Sequence, residues 1–197
     1  MATVRLATAR DASACRGIYV PYVTDTAVSF ESSPPGEDEF TERLRNVLRT
    51  YPWLVCESDG DIVGFAYASQ HRERDAYQWA VESSVYVDDR YHRHGVGRGL
   101  YESLFAVLRV QGFYDAYAGI TLPNETSVDF HTAMGFEPIG VYPDAGYKHG
   151  EWRDVQWWHL QLQPHDDDPE SPIPLRTLEH TRELREAVTT GEETIEL

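Results

Sequence analysis

The residues best suited to chemistry lie in one stretch, Val81 to Leu100, which combines a carboxylate, arginines and closely spaced glycines. Apolar and polar residues alternate from Val81 to Asp88, the two-residue period of a strand. The turn Arg93–Arg98 follows, and large apolar residues then recur at helical spacing. A strand, glycine turn and helix in this order offer backbone amides and a helix dipole to a phosphate. The stretch therefore predicts a site for a pyrophosphate-bearing ligand.

A Gly-x-Gly turn before a helix is by itself an unspecific motif, because it also occurs as a simple turn in α/β proteins. No Gly-Lys-Ser/Thr follows, which excludes a Walker loop, and the mid-chain position fits a dinucleotide fingerprint poorly. Two neighbouring features favour catalysis. Glu82 lies on the strand just before the turn, and Asn124, Ser127 and His131 share one face of a predicted helix at i, i+3 and i+7.

The elements that must position these residues alternate between strands and helices, which predicts the α/β (α+β) class. Residues 58–61 read Ser-Asp-Gly-Asp between two apolar runs and predict a hairpin with an Asp-Gly turn. The periodicity predicts strands near 4–7, 53–56, 62–67, 81–88, 116–120 and 155–162, and helices near 11–19, 37–49, 100–108 and 126–134.

The composition is strongly acidic, with a formal net charge of -16 over 197 residues. This charge argues against nucleic acid or an anionic membrane as a partner, because both require a basic surface. Lys148 is the only lysine, against 33 acidic residues. An acidic, lysine-poor surface resembles that of proteins from salt-loving organisms, so we expect a halophilic protein that loses stability at low salt. A simply acidic soluble protein is the alternative.

The cysteines and the lengths of the apolar runs indicate the cellular compartment in which the protein is expected. Cys15 and Cys56 have no metal-ligand spacing, and we expect both to be small core residues of a reduced compartment. No apolar run approaches the roughly 20 residues of a membrane span, and the N-terminus lacks signal-peptide features. We therefore expect a cytoplasmic protein. His71, His92 and His94 lack the accompanying ligands of a metal site, so no metal is expected.

The composition changes at Pro164. Residues 165–174 have the character of a linker, and residues 164–197 carry ten acidic residues against three arginines. Leucines and a valine in residues 175–188 indicate one short helix. We therefore divide the chain into a domain of residues 1–163 and an acidic, mobile C-terminal tail of residues 164–197.

The strand and the Arg93–Gly97 turn resemble the acetyl-CoA pyrophosphate loop of the GNAT superfamily of N-acetyltransferases. Further separated segments resemble its phosphinothricin N-acetyltransferase branch, and together they cover roughly residues 1–163. His92 departs from the family pattern, which usually has Gln or Arg at the start of this loop. The matching segments are residues 51–55, 64–68, 74–79, 82–87, 122–124 and 145–155.

The resemblance implies a mixed, twisted, mostly antiparallel sheet flanked by helices, with acetyl-CoA bound where two central strands separate. It also implies a homodimer, a small amino-acid substrate of the phosphinothricin or methionine sulfoximine class, and direct transfer in a ternary complex. The residues expected to bind acetyl-CoA are Val85, Tyr86, Val87, Arg93, His94, Gly95, Val96, Gly97, Arg98 and Asn124.

Amide formation from a thioester and an amine needs a polarised carbonyl, a deprotonated amine and a neutralised thiolate. The amides of Val85 and Val87 polarise the carbonyl if their strand splays from its neighbour. Glu82 matches the family's proposed catalytic glutamate and is the expected general base, with a salt bridge to an arginine as the alternative. His131 stands where the phosphinothricin branch has a histidine, and is expected to act as acid or relay. Asn124 binds CoA or caps its helix.

An amino-acid acceptor carries a carboxylate, for which arginine forks are suited. We expect Arg72 and Arg74 to bind it, with surface pairing to neighbouring acids as the alternative. The resemblance adds Phe30 and Lys148 near the acceptor. Tyr77, which precedes the catalytic strand, is also expected to contact the substrate. Two other functions remain open: an acetyltransferase for a protein N-terminus or polyamine, and a non-catalytic acyl-CoA sensor, which would lack the acid and base.

Overall fold

The computed structural model describes residues 2–197, which form seven strands and six helices. The strands are β1 (Thr3–Leu6), β2 (Trp53–Ser58), β3 (Asp61–Gln70), β4 (Ala80–Val87), β5 (Asp115–Thr121), β6 (Glu137–Lys148) and β7 (Glu151–Gln161). The helices are α1 (Ala12–Thr24), α2 (Glu37–Val47), α3 (Val96–Gln111), α4 (Glu125–Ala133), α5 (Leu175–Leu178) and α6 (Arg182–Val188).

The strands form one sheet in the order β1-β2-β3-β4-β5-β7-β6. Every neighbouring pair is antiparallel except β4 and β5, which are parallel because α3 forms the crossover between them. This confirms the expected mixed, mostly antiparallel sheet. The β4–β5 pairing covers only Ala80–Glu82 against Asp115–Tyr117. Beyond Glu82 the two strands separate, which leaves a gap in the middle of the sheet.

The hairpin between β2 and β3 confirms the turn predicted from Asp59 and Gly60. Ser58 pairs with Asp61, and the two residues between them have φ of 53° and 89°. Positive φ at both central positions is the condition for a type I′ turn, which Asp-Gly satisfies at low cost.

The two faces of the sheet are covered by different helices. Helices α1 and α2 pack on the face that carries Val55 and Phe65, and α3 packs on the face that carries Leu54 and Val81. Side chains alternate along β4. Glu82 therefore shares the α1/α2 face with Tyr86, whose ring packs edge-on against Tyr19 and Tyr22 of α1.

The C-terminal segment departs from the expected mobile tail. Its apolar residues Leu175, Leu178, Leu184 and Val188 are buried in the same core cluster as α3. Ile173 N donates to Gln111 O at 2.7 Å, which anchors the linker before them. The segment is acidic overall, but its few apolar side chains lie on one face and pack on the domain. The segment is therefore docked on the domain. The division of the chain at residue 163 remains a prediction.

No helix within residues 2–197 is both long and apolar enough to span a membrane.

Candidate active site

The gap between β4 and β5 exposes two backbone amides. Asp88 N donates to Val63 O on β3 at 3.0 Å, and Val87 and Val85 lie opposite Gly64 and Ala66. Hydrogen-bonded and non-hydrogen-bonded pairs alternate in an antiparallel ladder. The N–H groups of Val85 and Val87 consequently point away from β3, into the space that β5 leaves. This is the arrangement required of an oxyanion site.

The carbonyl group of the last residue of β4 has two side-chain contacts on the side of the gap. Tyr22 Oη donates to Val87 O at 2.6 Å, and His92 Nε2 lies 3.0 Å from the same oxygen. His92, which departs from the family pattern, thus joins the glycine turn to the last residue of β4.

Glu82 lies at the last paired position of β4, opposite Tyr117 of β5, where the gap begins. Its side chain is 36% exposed, and Oε1 accepts a hydrogen bond from His71 Nδ1 at 3.1 Å. The partner is therefore a histidine and not Arg72 or Arg74. The carboxylate therefore lies beside the gap and is accessible to solvent.

His71 is held by aromatic rings and was not singled out as a functional residue by the sequence. Its ring stacks on Tyr117 with centroids 4.3 Å apart and 15° between planes. Tyr77 and Trp157 contact it edge-on, and its side chain is only 10% exposed. This packing fixes the direction of the Nδ1–H bond toward Glu82.

His131 lies on the opposite face of the sheet from Glu82, in α4. It is 6% exposed, Nδ1 donates to Ser127 O at 2.7 Å, and Nε2 lies 3.3 Å from Tyr101 Oη. Burial lowers its pKa, while the Ser127 carbonyl acts in the opposite direction. The expected proton donor is thus a buried histidine whose two ring nitrogens each contact a group of the protein.

Tyr101, the contact of His131, belongs to α3, and Ser83 of β4 has its side chain on the same face of the sheet. Ser83 Oγ donates to Tyr117 O at 3.4 Å. Ser83 directly follows Glu82 in β4, with its side chain on the α3 face.

The start of α3 has backbone amides that no intrahelical carbonyl accepts. Arg93 and Gly95 have φ of 66° and 78°, and the first helical bond is Gly99 N to Gly95 O at 2.8 Å. The amides of the first helical turn precede this bond and have no intrahelical acceptor. A Cβ at Gly97 would lie 3.6 Å from Val87, so this glycine is at the edge of the gap. Arg98 is ion-paired with Glu102 at 2.8 Å.

Asn124 occupies the N-cap of α4, the alternative role foreseen for it. Its Oδ1 accepts from Ser127 N at 3.1 Å. It also lines a pocket of about 520 Å³ together with Leu122 and Trp152. The side-chain oxygen of Asn124 therefore caps the helix, while the residue also borders the pocket.

The residues expected to hold an acceptor fall into two groups. Arg72, Arg74 and Tyr77 are exposed on the loop after His71, and within residues 2–197 neither arginine forms an ion pair. Lys148 is buried and its Nζ donates to Ser29 O, so its ammonium serves to anchor a loop. Burial lowers the pKa of Lys148. The neighbouring Phe30 packs on Gly146.

Neither cysteine is placed to carry an acyl group. Cys15 and Cys56 are free and buried, and burial raises their pKa to about 12 and about 11. In the described part of the chain no group of three or more His, Cys, Asp or Glu side chains is arranged to hold a metal ion.

The family described as Acetyltransferase (GNAT) domain matches residues 4–157. The chain belongs to the GNAT acetyltransferase family. It is accordingly an acyltransferase, and the resemblance inferred from its motifs is confirmed.

Several members of the GNAT family are similar in sequence to this protein over most of its length. A phosphinothricin N-acetyltransferase of Streptomyces viridochromogenes is 40% identical over 173 residues, 88% of this chain and 92% of the relative. An L-methionine sulfoximine/L-methionine sulfone acetyltransferase of Salmonella typhimurium is 33% identical over 165 residues, which cover 83% of this chain and 96% of the relative. The structure of a phosphinothricin acetyltransferase from Sinorhizobium meliloti in complex with AcCoA has a TM-score of 0.82 and 32% identity, covering 86% of this chain and 93% of that one.

Proposed function

We propose that this GNAT protein transfers the acetyl group of acetyl-CoA to the α-amine of a small amino acid of the phosphinothricin or methionine sulfoximine class. The observation that carries the proposal is the position of Glu82, next to the gap into which the Val85 and Val87 amides point. The names of the relatives support both the donor and the acceptor class.

Acetyl-CoA fits the chemistry of the gap and of the turn beside it. The amides at the start of α3 and the guanidinium of Arg93 would hold the pyrophosphate, with His94, Gly95, Val96, Gly97 and Arg98 forming the rest of the turn. Gly97 keeps the helix end clear of a side chain next to Val87. Tyr86 and Asn124 complete the expected cofactor contacts.

The transfer proceeds by direct attack within a ternary complex. Glu82 removes a proton from the acceptor ammonium, and the amine then attacks the thioester carbon. The oxygen of that carbonyl takes up negative charge, which the N–H groups of Val85 and Val87 stabilise. The new C–N bond forms, the oxyanion re-forms the carbonyl as the C–S bond breaks, and the thiolate of CoA takes the second proton, which the former amine nitrogen loses.

Two histidines support this chemistry from different sides. His71 orients the Glu82 carboxylate through its Nδ1–H, because its ring is fixed by Tyr117. His131 acts on the thiolate side through its contact with the Tyr101 hydroxyl group. General acid–base assistance of this kind contributes roughly 10²- to 10⁴-fold to a rate.

The acceptor carboxylate would be held by the exposed guanidinium groups of Arg72 and Arg74, with Tyr77 and Phe30 as apolar contacts. Lys148 takes a supporting role, because its ammonium holds the loop that carries Phe30.

A thiol-release assay with acetyl-CoA tests the proposal on methionine sulfoximine, phosphinothricin, free amino acids, polyamines and short peptides, in high-potassium buffer. Turnover confined to the glutamate analogues and related amino acids is the expected result. Turnover only on polyamines or peptides would assign a different acceptor and contradict the arginine clamp. Acetyl-CoA binding without any turnover would indicate an acyl-CoA sensor.

We also propose a homodimer, formed through the exposed aromatic surface of the β6–β7 hairpin. Ile139, Tyr142, Tyr147 and Trp152 are each at least half exposed there. Large exposed apolar side chains on an edge hairpin are typical of an interface. Light scattering after size exclusion should give twice the chain mass of 22.5 kDa for the wild-type protein. The double variant Trp152→Glu, Tyr147→Glu should have the mass of a monomer. A wild-type protein with the mass of a monomer would contradict the proposal.

A further inference from the structure

The last residues of the chain lie directly on the turn proposed to bind pyrophosphate. We call residues 189–197 the C-terminal strap. Glu196 N donates to His94 O at 2.9 Å, and Gly191 N donates to the buried Ser103 Oγ at 3.0 Å. Thr194 Oγ1 donates to Glu102 Oε2 at 2.6 Å. The strap is thus bonded both to the turn and to the first two turns of α3.

Glycines on both sides allow this contact. A Cβ at Gly191 would overlap the Gly99 carbonyl, and a Cβ at Gly95 would overlap the Thr194 carbonyl. Ile195 fills the remaining space over Gly99. The two backbones approach more closely than any other residue type would permit. The fit is therefore specific to these positions.

The other end of the strap is fixed to the sheet. Glu192 Oε1 accepts a hydrogen bond from Val4 N of β1 at 2.7 Å. The strap consequently spans from the edge of the sheet to the start of α3, and it is held at both ends. The GNAT family match ends at residue 157, so the strap lies outside the part of the chain that defines the family.

The turn beneath the strap contains two residues with positive φ, Arg93 and Gly95. Arginine in the left-handed region is unfavourable by itself and persists when its surroundings enforce it. An unrestrained turn would sample other conformations, and only a fraction of molecules would present the amides correctly. Apparent affinity falls in proportion to that fraction.

We infer that the C-terminal strap is a positioning element for acetyl-CoA, which holds His94 and Gly95 so that the α3 amides are preorganised for the pyrophosphate. This inference rests on the proposed use of acetyl-CoA. The strap lies on the Gly95 and Gly99 flank of α3, whereas Gly97 faces Val87 and the gap. The strap therefore supports the binding turn from behind and leaves the gap open.

The test uses the full chain with single substitutions. Gly191→Ala separates the strap from Gly99, and the milder Thr194→Val removes the hydrogen bond to Glu102 while keeping the side-chain shape. Glu193→Gln is the matched control on the exposed side of the strap. Leu184→Ala controls for general destabilisation, because it removes a buried side chain of α6.

Acetyl-CoA affinity is measured by calorimetric titration without acceptor, beside steady-state kinetics and Tm. We expect Gly191→Ala to raise the acetyl-CoA Kd about tenfold, corresponding to a binding-competent fraction of about one tenth. Thr194→Val should raise it severalfold. The acceptor KM and the kcat at saturating acetyl-CoA should stay within about twofold. Leu184→Ala should lower Tm and leave the Kd at the wild-type value.

Folded Gly191→Ala and Thr194→Val proteins with wild-type Kd values would overturn the inference and leave the proposed function intact. A Kd that rises equally in Leu184→Ala would also overturn it, because the strap would then act only through stability. Absence of acetyl-CoA binding in the unsubstituted chain would overturn the proposed function and this inference together.

Discussion

The hydrogen bond between His71 and Glu82 yields the most specific prediction about catalysis. The substitution His71→Phe keeps an aromatic ring against Tyr117 and removes the Nδ1–H that Glu82 accepts at 3.1 Å. A hydrogen bond to a charged group contributes roughly 1.5–3 kcal/mol. Because the Glu82 side chain is 36% exposed, water competes for it and the lower limit applies. About 1.4 kcal/mol corresponds to a tenfold change.

We therefore expect His71→Phe to lower kcat about tenfold in the thiol-release assay, with little change in the acetyl-CoA KM. His71→Asn is the matched control, because its side-chain amide places an N–H donor the same number of bonds from Cβ as Nδ1. It should recover most of the lost rate. Wild-type kcat in a folded His71→Phe protein, or equal loss in both variants, would refute the orienting role.

Two further predictions concern stability. The net charge of -16 predicts that Tm rises between 0.05 and about 1 M KCl, because the screening length shortens to about 3 Å; an unchanged or falling Tm would contradict a halophilic surface. Burial lowers the pKa of His131, so below about pH 6.5 the unfolded chain binds a proton that the folded chain excludes, and stability is lost as pH falls toward the folded pKa. His131→Gln should therefore show a shallower fall in unfolding free energy between pH 7 and pH 5, and identical slopes in both proteins would refute this assignment.

The sequence predicted those features that depend on local pattern. The alternation of β4, the glycine turn and the Asp59–Gly60 hairpin each follow from the spacing of a few adjacent residues. The family resemblance added the separation of β4 and β5, which the short pairing at Ala80–Glu82 confirms.

The remaining features depend on contacts between distant residues. The C-terminal segment was expected to be mobile because of its acidic composition, yet its leucines complete the core around α3. His71 had no local pattern linking it to Glu82, since the two face each other only once β3 and β4 pair. Lys148 was expected at the acceptor, but a carbonyl more than a hundred residues away in the chain binds its ammonium. The spacing of apolar residues along the sequence contains no information on such contacts.

The role of Glu82 as general base is the central claim and is tested most directly by Glu82→Gln, which keeps the shape and removes the basic oxygen. Rates are measured at saturating acetyl-CoA and acceptor, with acetyl-CoA binding determined separately and Glu73→Gln on the neighbouring exposed loop as control. We predict a loss of roughly 10²- to 10⁴-fold in kcat for Glu82→Gln with unchanged acetyl-CoA affinity, and a wild-type rate for Glu73→Gln. A Glu82→Gln protein that turns over at the wild-type rate would contradict the account.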